Sequence, residues 1–221
     1  GLVFVDRINH SRANPTPELG QIEATNPCGE QPLLPNEACN LGSLNVARFA
    51  LPVRHNGHGS NGDLPIDWLA LEKTVQTAVR FLDDVIEVNP YPLPEIAEAV
   101  NGNRRIGLGV MGWADLLFKL GIPYDSDDAV AVAERLMSHI TKIARVADAR
   151  LAEERGPFPN WPRSIYRDGP PMRNATVTTI APTGTISIIA NASSGIEPLF
   201  ALAYTHTVEE RQLSFVNPVF E

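Results

Sequence analysis

The chain has 221 residues, 43% of them hydrophobic and 20% charged, which is the composition of a folded α/β-sized globular protein rather than a disordered one. A formal net charge of -8 argues against a surface that neutralises many nucleic-acid phosphates, so any anionic ligand must be held by a local site. No run approaches the roughly 18 to 20 apolar residues of a bilayer span, and Asp6, Arg7, His10 and Arg12 interrupt the start, which predicts a cytoplasmic protein with no membrane partner.

Two cysteines are too few for a disulfide-stapled secreted domain, and no Cys-x-x-Cys pair or histidine cluster marks a structural zinc. Both ends, Gly1-Leu-Val-Phe-Val and the apolar stretch before Glu221, read as cut, so residues 1–221 are expected to be a fragment. No repeat or low-complexity linker divides it.

Residues 2–12 read as a short apolar piece and a polar turn, and two prolines between Ala13 and Gly20 forbid continuous helix. Next comes Thr25-Asn-Pro-Cys-Gly-Glu-Gln-Pro-Leu33, in which Asn26, Cys28 and Glu30 occupy alternate positions. On an extended backbone their side chains face one way, each about 7 Å from the next, so an amide, a thiol and a carboxylate converge. Pro27 keeps Asn26 out of helix and Gly29 permits a sharp path. Spacing alone leaves a surface turn with an incidental cysteine equally open. Cys39, beside Ala38 and Leu41, reads on composition as a buried inert thiol.

His55 to Asp63 is a surface loop whose two histidines are poorly placed for a metal. Asp67 to Val88 carries Leu69, Val75, Ala78, Val79, Leu82, Val85 and Ile86 at helical recurrence, an amphipathic helix. Further helices are expected over Pro94 to Val100, Val110 to Leu120 and Asp127 to Glu154. Ser126 serves as N-cap of the last, Gly156-Pro157 stop it, and its acidic residues read as a solvated face.

Gly107-Leu-Gly-Val-Met-Gly112 satisfies the dinucleotide fingerprint Gly-x-Gly-x-x-Gly, but no buried strand is evident before it, which weakens a nicotinamide-dependent oxidoreductase reading. Met111, Trp113, Leu116, Leu117 and Leu120 are core candidates, whereas His10, His139 and His206 read as structural. Arg173 to Ala190 reads as strand, loop, then strand or helix, around Thr179-Ile-Ala-Pro-Thr-Gly-Thr-Ile-Ser187. Such a turn can aim backbone N–H groups at a phosphate, although an ordinary strand-end turn is open too because the Walker lysine is missing. Helices separated by short β-branched runs give an α/β class.

Three stretches resemble one family. Asn26-Pro-Cys-Gly-Glu-Gln-Pro-Leu-Leu34 with Glu37-Ala-Cys-Asn-Leu-Gly-Ser-Leu-Asn45 resembles the active-site loop of ribonucleotide reductases, in the wording typical of the adenosylcobalamin-dependent class. Arg104 to Leu117 and Ala181 to Ser187, followed by Asn191 to Pro198, resemble the same family in the same order. The resemblance implies part of a ten-stranded α/β barrel with a central active-site finger loop. It implies a thiyl radical on Cys28, Glu30 as general base and Asn26 as substrate ligand. Cys39 would be one of two redox-active thiols, its partner preceding this fragment, and a Cys28–Cys39 disulfide would block the radical position. Pro182, Thr183, Gly184, Thr185 and Ile186 would bind the substrate phosphates.

The implied activity is reduction of ribonucleoside di- or triphosphates to 2'-deoxyribonucleotides, with adenosylcobalamin as cofactor, a thioredoxin-like reductant and a homodimer in the full-length form. The fragment by itself is expected to be inactive. The alternatives are the large subunit of a class using a separate metal radical subunit, a non-catalytic nucleotide-binding module, and the nicotinamide enzyme.

Overall fold

In a computed structural model, which describes residues 2–52, 64–199, 201, 203–208 and 211–216, short strands alternate with helices. The order is α1 (Val5–Asn9), β1 (Ala24–Thr25), β2 (Pro32–Leu33), β3 (Asn40–Asn45), α2 (Trp68–Val88), α3 (Pro94–Asn103), β4 (Ile106–Met111), α4 (Trp113–Leu120), α5 (Asp127–Arg155), α6 (Gly184–Ala190), β5 (Ala203–Val208) and β6 (Arg211–Val216). The α/β class expected from the sequence is therefore observed. Among the described residues the strands pair as β1 with β2, β3 with β4, and β5 with β6. No helix of the described residues is long and apolar enough to cross a membrane. The loop carrying His55 and His58 lies outside the described residues, as does the side chain of His206.

The chain forms two compact units, one of Gly1–Gly42, Glu72–Gly109 and Met137–Ala181, the other of Ser43–Leu71, Val110–Leu136 and Pro182–Glu221. The first is built on the stripes that helical periodicity predicts. Val75, Val79, Leu82 and Ile86 of α2 are buried at three- and four-residue spacing, as are Ile140, Ala144, Ala147 and Leu151 of α5. Burial of each large aliphatic side chain contributes roughly 1.5 to 3 kcal/mol. Asp67 caps α2, its Oδ1 accepting from Ala70 N at 2.9 Å, and Ser126 caps α5 by accepting from Ala129 N at 3.2 Å. Gly156, at φ +83°, ends α5 as expected. In the second unit the short 3-10 turn Val46–Phe49 packs on α4, whose Trp113, Leu116 and Leu117 are buried, while Leu120 is only half-buried.

Four sequence expectations change. The helix expected from Val110 begins at Trp113, because Ile106–Met111 is the strand β4, buried at every position. The fingerprint glycines are thus strand residues, and only Gly112, at φ +74°, turns the chain into α4. A dinucleotide turn must follow such a strand instead of forming it, so the nicotinamide reading is withdrawn. Gly107 is small for packing: a Cβ there would lie 2.7 Å from Thr179 Cγ2 and 2.8 Å from Leu41 Cδ2. Second, α3 continues past Val100 to Asn103 and stops where Arg104 takes a left-handed conformation and donates its N–H to Val100 O at 2.7 Å. Third, Ala175 to Thr179 runs beside β4 through one parallel bridge, Leu108 to Thr178, and the part after Thr183 is helix.

The fourth is the acidic face of α5, because Asp148 is completely buried. Its Oδ1 accepts from Asn174 N at 2.9 Å, and burial pushes its carboxyl up to about 7 against the pull of Arg145 and the backbone N–H groups of Asn174 and Arg173. Nearby in the same unit Asp83 of α2, also fully buried, accepts from Arg104 Nη2 at 2.7 Å, Arg155 Nη1 at 2.9 Å and Asn174 Nδ2 at 3.2 Å. Burial alone would raise its carboxyl, but the Arg104 hydrogen bonds, with the Arg173 charge and Asn174, hold it below the usual carboxylate range. Through Arg104 and Asn174 this hub fixes the start of β4 and of the 174–179 segment, both of which lead to the site. The remaining histidines are structural in the described residues: His139 Nε2 lies 3.3 Å from Glu72 Oε1, and His10 Nδ1 lies 2.7 Å from Asp6 O.

Candidate active site

Strands β1 and β2 pair antiparallel, Ala24 with Leu33 and Thr25 with Pro32, so residues 26–31 form the tip of a hairpin. The alternate polar residues therefore do not fan out from one extended strand. A turn gathers them, closed by Gly29 N donating to Asn26 O at 3.0 Å and Asn26 N donating to Gln31 O at 3.1 Å. Gly29 sits at φ +87° with nothing within 4 Å of a built Cβ, so backbone conformation and not crowding requires the glycine. Asn26 also staples the loop with its side chain, Oδ1 accepting from Gln31 N at 3.0 Å. Its Nδ2 is engaged by no described residue.

Cys28 stands exposed on this turn as a free thiol. Glu30 is anchored by its main chain, where Thr179 Oγ1 donates to Glu30 O at 2.7 Å. Its carboxylate Oε2 is buried and makes no hydrogen bond among the described residues. Beside the thiol, a cavity of about 620 Å3 is walled by Leu2, Val3, Phe4 and Arg7 together with Pro27 and Cys28, but not by Asn26 or Glu30.

Cys39 is half-buried and also free, with Sγ donating to Asn40 O at 3.6 Å. Desolvation pushes its thiol up to about 12; the Arg105 charge opposes this, while Glu37 and Glu30 add to it. At neutral pH the sulfur keeps its hydrogen, which suits a hydrogen donor and not a resting thiolate nucleophile. Sequence reading missed what surrounds it. Arg105 and Glu37 form an ion pair, Nε to Oε2 at 2.9 Å, with side chains only 1% and 2% exposed. Glu37 Oε2 further accepts from Leu34 N at 2.7 Å and Oε1 from Asn103 Nδ2. The one available signal was a pair of arginines directly before an apolar strand.

In the other unit, Pro182 to Ile186 forms the start of α6. Thr183 is left-handed at φ +59°, and its Oγ1 accepts from Gly195 N at 2.7 Å, while Ser194 Oγ donates to Pro182 O at 2.6 Å. The first helical N–H to find an intrahelical acceptor is that of Ser187, bonded to Thr183 O at 2.9 Å. The N–H groups of Gly184, Thr185 and Ile186 precede it, in exposed residues, and a Cβ built on Gly184 meets nothing within 4 Å.

The sequence model of the ribonucleotide reductase barrel domain matches this chain over residues 1–172 and 170–221. The chain belongs to that family. Among curated relatives of this reductase domain, the vitamin B12-dependent ribonucleoside-diphosphate reductase of Mycobacterium tuberculosis strain H37Rv is 55% identical over 221 residues, all of this chain and 30% of that protein. The protein of the same name from Thermoplasma acidophilum is 51% identical over 223 residues, 28% of its length. The ribonucleoside-diphosphate reductase subunit alpha of Chlamydia pneumoniae is 33% identical over 82% of this chain and 20% of its own length. This reductase chain thus spans less than a third of the relatives it matches.

Proposed function

We propose that the full-length protein containing this chain reduces ribonucleotides to 2'-deoxyribonucleotides, supplying DNA precursors, by chemistry that begins with a radical on Cys28. The observation carrying this reading is the hairpin tip, where an exposed thiol stands two residues from a carboxylate with a buried, unengaged Oε2. Cys28 takes the ribose 3'-hydrogen and returns it at the end; a sulfur–hydrogen bond is weak enough for that exchange. Glu30 accepts the 3'-hydroxyl proton, a task for a carboxylate within about 3 Å of that oxygen. Asn26, stapled by its Oδ1, has its Nδ2 left to donate to the substrate.

The 2'-hydroxyl leaves as water when two thiols become a disulfide. Cys39 is one of them, and burial keeps it supplied with its hydrogen. The other lies in a part of the protein outside this chain, and a thioredoxin-like dithiol protein restores the pair. The phosphates are held by the N–H groups after Pro182, in the segment Pro182, Thr183, Gly184, Thr185 and Ile186. In the whole protein, a homodimer, this chain contributes to a ten-stranded α/β barrel with the Cys28 hairpin as its central finger.

The radical source in this reading is adenosylcobalamin, since the relatives at 55% and 51% identity are named vitamin B12-dependent. The cavity beside Cys28, walled by Leu2, Val3 and Phe4 with Arg7, Ser11 and Thr25, leaves the sulfur open to approach by such a group, with Arg7, Ser11 and Thr25 placed to meet its polar periphery. When bound, adenosylcobalamin supplies the hydrogen-abstracting equivalent that Cys28 takes up. A separate metal radical subunit is the second reading, favoured by the 33% match to a subunit alpha. Full-length protein should reduce ribonucleotides only with adenosylcobalamin present, and Cys28→Ala should lose that activity while nucleotide affinity stays. Unchanged activity in Cys28→Ala would end the proposal.

A further inference from the structure

The strand that opens with Ile106 is preceded by an arginine whose side chain does not reach solvent. Arg105 is 1% exposed at its side chain, yet its guanidinium is incompletely used. Nε pairs with Glu37 Oε2 at 2.9 Å and Nη1 donates to Pro32 O at 3.2 Å, while Nη2 is buried without an acceptor among the described residues. Its main-chain O accepts from Asn40 N at 3.4 Å, so the residue after Cys39 hangs on Arg105 as well. One side chain and its peptide thus grip the strand leaving the Cys28 hairpin, the Glu37 loop and the residue following Cys39. A buried donor with no acceptor is unfavourable, because the hydrogen bond it made to water is not replaced. Its retention needs a reason.

We propose that Arg105 is a positioning residue for Cys39, fixing the loop that carries the thiol and holding one guanidinium N–H as the counter-charge for that sulfur whenever it becomes a thiolate. The inference rests on the reading of Cys39 as a redox thiol. Thiolate must form there during re-reduction. A thiolate of the dithiol reductant attacks the sulfur of the partner cysteine, and the sulfur–sulfur bond breaks. Its electron pair leaves on Cys39, and the proton lost by the attacking thiol returns to it. The reductant ends as a disulfide after its second thiol repeats the attack, so two electrons and two protons are transferred. Leaving is slow for a sulfur that binds its proton as tightly as the buried Cys39 does, and faster as that affinity falls. Of the charged groups acting on this sulfur, Glu37 and Glu30 oppose the thiolate, and Arg105 alone favours it.

The test is peptide-resolved alkylation of Cys39 by iodoacetamide against pH in the full-length reduced protein. The variants are Arg105→Lys, Arg105→Gln and the double variant Arg105→Gln/Glu37→Gln, which removes the buried pair together and leaves no orphaned charge. The alkylation rate follows the thiolate fraction, and one pKa unit changes it about tenfold. We expect Arg105→Gln to alkylate about tenfold more slowly than the natural protein at pH 9, the double variant to fall between the two because it also loses the opposing Glu37 charge, and Arg105→Lys to stay close to natural. If Arg105 only braced the loop, its loss would expose the sulfur and speed alkylation. Equal or faster alkylation in Arg105→Gln, with near-ultraviolet dichroism unchanged, overturns the proposal, as does an Arg105→Lys rate as low as that of Arg105→Gln. Cys39→Ser separately tests the underlying reading: retained multiple turnover defeats the redox role of Cys39 without altering the alkylation result.

Discussion

Thr179 donates its hydroxyl hydrogen to the carbonyl oxygen of Glu30 across 149 positions of sequence, at 2.7 Å. The segment beside β4 thereby holds the main chain of the residue whose buried Oε2 makes no hydrogen bond among the described residues. Among the described residues no other side chain holds that carbonyl, so the proposed base is held through its main chain. A neutral hydrogen bond contributes about 1 kcal/mol, and losing it lets the turn relax. Thr179→Val should lower turnover of the full-length enzyme by about fivefold with nucleotide affinity unchanged, and Thr179→Ser should restore it. Equal turnover in Val and natural proteins would show that Glu30 is placed by something else.

Gly107→Ala approaches the same contact from the opposite side. Its Cβ would press on Thr179 Cγ2 at 2.7 Å and on Leu41 Cδ2 at 2.8 Å, both shorter than real packing allows. Overpacking of this kind costs about 1 to 3 kcal/mol. The unfolding midpoint should fall by several degrees, and turnover measured well below that midpoint should also drop because Thr179 is displaced. A variant with a lowered midpoint but natural turnover would separate packing from catalysis here.

The elements that sequence reading captured are those whose signal is local. The stripe of α2 and the cap and stop of α5 depend on neighbours within a turn or two, and Asn26-Pro-Cys-Gly-Glu gathers an amide, a thiol and a carboxylate within five consecutive residues. What escaped is long-range. Asp83, Asp148 and Arg105 look like solvated charges on any local pattern, because the groups that make their burial tolerable lie far along the chain, at Arg155, Asn174 and Glu37. Strand β4 was hidden for a related reason. Buried on both faces and rich in glycine, it lacks the alternation that marks a half-exposed strand.

Asp83 tests the hub directly. Removing the carboxylate in Asp83→Ala leaves the guanidiniums of Arg104 and Arg173 without the buried anion they share, and Asn174 Nδ2 with Arg104 O as its remaining acceptor. Breaking a buried pair by deleting one partner costs about 3 to 5 kcal/mol. The variant should be much less stable to urea, and below room-temperature denaturation thresholds it should expose apolar surface. A loss under 1 kcal/mol would mean that Glu87 and Asp84 take over the hub.

Asp148 sets a pH dependence of the opposite sign from an ordinary ion-paired carboxylate. Its folded carboxyl binds a proton up to about 7, far above the unfolded value of 3.8. Between those values the folded state holds more protons than the unfolded one. This group therefore favours folding progressively as pH falls from about 7 toward 4, and its burial is unfavourable above 7, on the order of 4 kcal/mol. Asp148→Asn keeps an acceptor for Asn174 N and stays neutral, so it should be more stable than the natural protein at pH 8, less so at pH 5, and little different near pH 4. Parallel stability curves for the two proteins from pH 5 to 8 would show that Asp148 is ionised throughout.

Gly184→Ala tests the anion-binding role proposed for the turn after Pro182 separately from its structural role. The open space around the built Cβ means that alanine meets no neighbour, and alanine is the better helix former at the start of α6. Stability should hold or rise slightly. A ligand drawn to the N–H groups of residues 184–186 must occupy that same open space, where the added methyl would stand. Nucleotide dissociation constants of the full-length enzyme should therefore rise by about tenfold, a loss of about 1.4 kcal/mol, in a protein that unfolds no earlier. Thr183→Val works on the other half of the turn, deleting the hydroxyl that accepts from Gly195 N while leaving a β-branched residue at φ +59°, and should weaken both stability and binding. Natural nucleotide affinity in Gly184→Ala would place the phosphates elsewhere.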